Sequence, residues 1–134
     1  MRASARRAAV LWLVIGLAAA CEDPPAVLGP EDGITLTNQP GMFHLKIHDL
    51  DNVIQDTNFT WVSNDSTATV IHNSLVTHGY AYLNILDAKG VLVSTSSLVY
   101  EADSVTRKGA PGNWTLQFQF KASTGRVDVT VENP

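Results

Sequence analysis

The sequence holds a single cysteine, Cys21, among 134 residues. No disulfide can form within one chain, so the fold must stand on its apolar core. Basic residues are also few. Only six Lys and Arg follow residue 20, against thirteen Asp and Glu, a net charge of −7 for that part. Nothing basic is clustered, which excludes nucleic acid as a partner, because neutralising phosphates takes Lys and Arg patches. Nor would such a surface be drawn to anionic headgroups. The longest apolar run, AAVLWLVIGLAAA from Ala8 to Ala20, is shorter than the roughly 20 residues that a spanning helix needs.

Catalytic signatures are missing as well. There is no G-x-S-x-G elbow, no phosphate-cradling glycine loop and no second thiol. Glu101 and Asp103 are two carboxylates of the kind that cleave glycosides, but any β-protein offers such a pair. The chain is therefore read as non-catalytic, with no cofactor and no resident metal.

What is present begins at the N-terminus. Arg2, Arg6 and Arg7 precede the apolar run, and small residues follow it, the three parts of a secretory signal over residues 1–20. Two processing routes are open. Ala18-Ala19-Ala20 suits an ordinary cut that would leave Cys21 a free thiol. LAAAC, Leu17 to Cys21, resembles the bacterial lipobox, with Ala18 where leucine is favoured. A lone cysteine at that boundary favours the lipobox, so Cys21 is expected to be the lipidated first residue of the mature chain. Membrane contact would then come from its acyl chains. Glu22 is not the aspartate associated with inner-membrane retention, which points to the outer membrane.

Residues 21–33 read as that cysteine plus a tether. EDPPAVLGPEDG carries three prolines, two glycines and four carboxylates, and could hold a domain up to ~40 Å from the bilayer. A single domain is expected over 34–134. There the apolar period is two: Phe43, Leu45 and Ile47 alternate with His44, Lys46 and His48. Phe59 and Trp61 share a face, and Ala68 and Val70 another. Ala81, Leu83 and Ile85 oppose Tyr80, Tyr82 and Asn84. Trp114, Leu116 and Phe118 are followed by Val127, Val129 and Val131. DAKG, Asp87 to Gly90, and STG, Ser123 to Gly125, read as turns. About eight short strands without a helical period indicate an all-β fold, an antiparallel, jelly-roll-like β-sandwich, with a small closed barrel as the alternative.

GYAYLNILDAKG, then GNWTLQFQF and STGRVDVTV, resemble the C-terminal half of bacterial pre-peptidase domains and of the P-domain of proprotein convertases. The matching positions are Asp87, Gly90, Gly112, Trp114, Leu116 and Gly125, within residues 79–131. The resemblance implies a β-sandwich that serves secreted proteins as an accessory module without catalysis.

Polar clusters are weighed against that frame. His44 and His48 have zinc-like spacing only on a helix; on a strand they lie ~13 Å apart, and His72 and His78 could join them only through the tertiary fold. Asp49, Asp51 and Asp56 are oxygen donors of the kind calcium takes, but lack the EF-hand's mid-loop glycine and closing glutamate, so HDLDNVIQD reads as a solvated inter-strand loop. Asn58, Asn64 and Asn113 match the glycosylation sequon, without meaning in a bacterium. Tyr80 and Tyr82 point outward from one strand and are the candidate interaction surface, for an envelope protein or a glycan. The functional expectation is a small envelope lipoprotein acting as a binding module, with an envelope hydrolase and a structural accessory subunit as the alternatives.

Overall fold

The computed structural model describes residues 26–100 and 102–134. The expected signal sequence, Cys21 and Glu101 lie outside them. Seven antiparallel strands form one sheet: β1 Ile34–Gln39, β2 Met42–Ser63, β3 Thr69–His72, β4 Leu75–Leu86, β5 Leu92–Ser97, β6 Ala102–Val105 and β7 Gly112–Glu132. The all-β expectation holds. Among the described residues the count is seven: two expected pairs of strands are each continuous, and β1 is an additional strand.

Those long strands, β2 and β7, pair along their whole length, from Met42 opposite Glu132 to Ser63 opposite Gly112. The ribbon then folds over on itself. Register shifts between Ile47 and Gln55 flip which side of β2 faces inward: Phe43, Leu45 and Ile47 are buried, then Leu50, then Val53 and Trp61. HDLDNVIQD is thus a bulged bend within β2 and not a loop between strands. STG likewise does not reverse the chain. Ala122 and Gly125 take φ of 50° and 137°, and β7 turns a corner and continues.

Folding the ribbon makes two facing layers. Layer I contains β1, residues 42–47 of β2, 127–132 of β7, β3 and β6. Layer II contains residues 55–63 of β2, 112–121 of β7, β4 and β5. Phe43 of layer I meets Phe59 and Phe118 of layer II at ring-centroid distances of 5.3 and 6.1 Å. Val127, Val129, Val131, Leu83, Ile85, Trp61 and Trp114 complete one core, as the alternation predicts. Phe59, expected inward beside Trp61, is only half-buried, at the side of the core.

The two ends of the sandwich differ. At the far end, Gly41 N–H donates to Val62 C=O at 2.9 Å, bringing the start and finish of β2 together. At the other, which we call the bend end, strands turn from one layer to the next. Gly79 and Gly125 sit there with φ of 70° and 137°, and a Cβ on either would lie 2.1 Å from a carbonyl oxygen of the neighbouring strand. Ser123 Oγ donates to the Tyr80 carbonyl across the same corner.

The segment before β1 differs from a free tether. Ala26 forms a parallel bridge with Val53: its N–H donates to Asn52 C=O at 3.0 Å, and Ile54 N–H donates to its own C=O at 2.9 Å. Leu28 packs against the core, and a single 3-10 turn, Pro30–Asp32, closes with Asp32 accepting from Gly29 N–H at 2.7 Å. Apolar Ala26 and Leu28 pack against the core and dock this acidic stretch, while Val27 stays exposed. Residues 26–33 are therefore part of the folded unit.

Candidate functional site

The outward side of layer II is built in rows, because residues paired across antiparallel strands project to the same face. One row runs Asp56, Gln119, Tyr82, Ser97, and the next Asn58, Gln117, Asn84, Thr95. Thr60, Thr115 and Leu86 follow. Asn84 Nδ2 donates to Gln117 Oε1 at 3.4 Å. The second row carries no charge at all, on a chain that is otherwise acidic.

Tyr80 and Tyr82 stand at the bend-end side of this face. Their rings are near-parallel, 12° apart in plane, with centroids 6.2 Å apart. Tyr80 is 58% exposed and Tyr82 half-buried, while Ala81, Leu83 and Ile85 between and beyond them are fully buried. The expected outward pair is where alternation put it. Beside it, Ile54, Gln55, Asp56, Phe120, Lys121 and Ala122 line an open groove of about 480 Å³. Ile54 and Asp56 fall within HDLDNVIQD, which reads as a loop in sequence, and the groove comes from the bend that the pairing of β2 with β7 creates.

The other polar candidates do not converge. His44 Nε2 lies 2.7 Å from Asp128 Oδ1 on the outside of layer I. His72 is buried, His48 flanks Gly33, and His78 sits in an exposed bulge beside Thr77. Asp49 and Asp51 are exposed at the bend, and Asp56 lies on the face of layer II. Among the described residues no three His, Cys, Asp or Glu side chains gather to hold a metal ion. Asp103 is exposed on β6. Asn58 and Asn113 lie on the layer II face, and Asn64 N–H donates to Asn133 Oδ1 at the far end.

Among the described carboxylates, Asp87 is the one whose pKa is clearly displaced. It is 6% exposed and accepts from the N–H groups of Ala110, Val91 and Lys89, each at 2.9 Å. The Ala110 amide first, then Val91, hold its carboxyl below the ordinary value of 3.8, against the opposing effect of burial. DAKG is thus an Asp-anchored turn whose second oxygen clamps the 110 segment, a structural and not a catalytic role. A carboxyl whose folded pKa is depressed adds stability above its unfolded pKa and loses that contribution as pH falls through the folded one. Urea midpoints of wild type should drop as pH is lowered from about 5 to below 3.8, and Asp87→Asn should show a smaller drop over that window. Equal slopes would remove the clamp from the account.

No known protein family and no curated protein matches the chain. The loosely similar solved structures include two enzymes. One is Fe(II)-HppE with the alternative substrate (S)-1-HPP, at 9% identity and a TM-score of 0.33, over 84% of this chain and 62% of that one. The other is a glycoside hydrolase family 43 arabinoxylan arabinofuranohydrolase from Bacillus subtilis in complex with cellotetraose, at 16% identity and a TM-score of 0.29, over 75% of this chain and 21% of that one. The chain spans less than two thirds of either, and at these scores neither bears on activity or ligand.

Proposed function

We propose that the chain is a lipid-anchored, non-catalytic binding module of a bacterial envelope, held in the outer membrane by acyl chains on Cys21. Its recognition surface is the outward face of layer II, and the partner it suits is an uncharged, hydroxyl-rich chain such as an envelope glycan. The observation that carries this reading is the Tyr80–Tyr82 pair, near-parallel and outward, opening onto a row of Asn58, Gln117, Asn84 and Thr95. Aromatic faces cover the apolar side of a sugar ring, and amides both donate to and accept from its hydroxyls. An uncharged row costs little to desolvate against a neutral partner and repels none.

The test is sedimentation with isolated envelope polysaccharide and sacculi. Wild-type protein should co-sediment, and Tyr82→Ala combined with Gln117→Ala should weaken binding by about tenfold or more with its thermal melt nearly unchanged. Co-sedimentation that ignores the double substitution, or none at all, would move recognition off this face.

A further inference from the structure

We propose that the bend-end rim of layer II, formed by Val27, Ile54, Lys121 and Tyr80, rests on the bilayer that holds Cys21. This rests on the lipid-anchor reading above and adds the orientation of the domain.

Ala26 is tied into the fold by its bridge to Val53, so at most five Cα–Cα steps separate the folded unit from Cys21. Five steps span at most ~18 Å, less than half of what a tether running to residue 33 would allow. From Ile54 to Val62, β2 extends about 26 Å at ~3.3 Å per residue. A connection of that length is shorter than the layer, and Ala26, to which it joins, sits at the bend end. That end must face the membrane.

The rim also presents side chains suited to a bilayer surface. Val27 and Ile54 each follow a member of the Ala26–Val53 parallel bridge. Ala26 and Val53 point to the core, so Val27 and Ile54 point away from it side by side, 66% and 51% exposed. Lys121 lines one groove with Ile54 and is paired with Tyr80. The rim thus reads aliphatic, aliphatic, lysine, tyrosine. Aliphatic side chains can enter the headgroup region, a tyrosine ring sits at the boundary, and lysine lays its stem on apolar surface with its ammonium in water. One step further along the strands the row is Asp56, Gln119, Tyr82, Ser97, which stays in water and limits the depth. Asp49 and Asp51, exposed at the same end, suit zwitterionic headgroups better than anionic ones. In this pose the layer II face stands upright, with Tyr80 at its foot.

The experiment uses full-length protein expressed in a bacterium, purified from envelopes and placed in phosphatidylcholine nanodiscs. Intact mass first reports whether Cys21 is acylated. Acylation blocks that thiol, so a nitroxide goes only onto Ile54→Cys, Val27→Cys or, as the far-end reference on the same strand, Val62→Cys. Ratios of oxygen to nickel-chelate accessibility several-fold higher at 54 and 27 than at 62 are expected. Acylated protein with the same water-like ratio at all three positions would overturn the membrane-resting rim and leave the anchor standing. A free Cys21 thiol would overturn both.

Discussion

Trp114→Ala should cost ~3–5 kcal/mol in urea-monitored unfolding, close to the loss expected for any fully buried aromatic that leaves a cavity. Trp114 and Trp61 are both fully buried and meet edge to face, with centroids 5.8 Å apart and planes at 85°. They are register partners across the central ribbon, Trp61 on β2 and Trp114 on β7. Each indole N–H is also used: Trp114 Nε1 donates to Ala110 C=O at 2.8 Å, and Trp61 Nε1 to Gln39 C=O at 3.2 Å. Truncating Trp114 removes the ring contact, the packing around it and the tie to the 110 segment, which Asp87 holds from its other side. Trp114→Phe should recover part of the loss, because it refills much of the space without the donor. A Trp114→Ala variant within 1 kcal/mol of wild type, allowing about that much for error, would show that the far end collapses around the gap.

Gly125→Ala should be more damaging still and is expected to leave little folded protein in the soluble fraction. Two penalties coincide there. A φ of 137° is strained for any L side chain, and the added Cβ would lie 2.1 Å from the Leu75 carbonyl oxygen and 2.9 Å from Val76 Cα. Backbone cannot give way as a flexible side chain can. Gly90 provides the control: its φ is 79°, but nothing lies within 4 Å of a Cβ placed there. Gly90→Ala should therefore show the conformational cost alone, about 1–2 kcal/mol. Comparable thermal melts for the two variants would mean that the bend opens freely and that the layers are less tightly joined than the structure shows.

Much of the fold was legible because period two is a local property. Phe43, Leu45, Ile47, Ala81, Leu83, Ile85, Trp114, Leu116 and Phe118 face inward as their alternation requires. Outward Tyr80 and Tyr82 follow from the same rule. What escaped is everything that depends on pairing between distant segments. HDLDNVIQD looks like a loop because alternation breaks there, and a bulge breaks alternation in the same way while leaving the strand intact. STG looks like a turn because glycine permits one, yet Gly125 serves to let two backbones approach. Residues 26–33 look like tether by composition, whereas Ala26, Val27 and Leu28 find an unpaired edge of β2 that only the bend creates. The rim of Val27, Ile54, Lys121 and Tyr80 joins positions up to 94 residues apart and has no sequence signature.

The long strand β7 has a consequence for the order in which the protein can assemble. It is the shared neighbour of β2, β3 and β4, and through it both layers are completed. It also follows all the other described strands in sequence. Until residues 112–132 emerge from whatever makes or exports the polypeptide, β2 has only β1 and the Ala26 bridge beside it, β3 only β6, and β4 only β5. Such hairpins and ribbons are marginal in water on their own. Pairing across such sequence separations pays its loop-closure entropy before any core forms, which slows folding. Both layers are therefore expected to close together, when residues 112–132 pair with β2, β3 and β4.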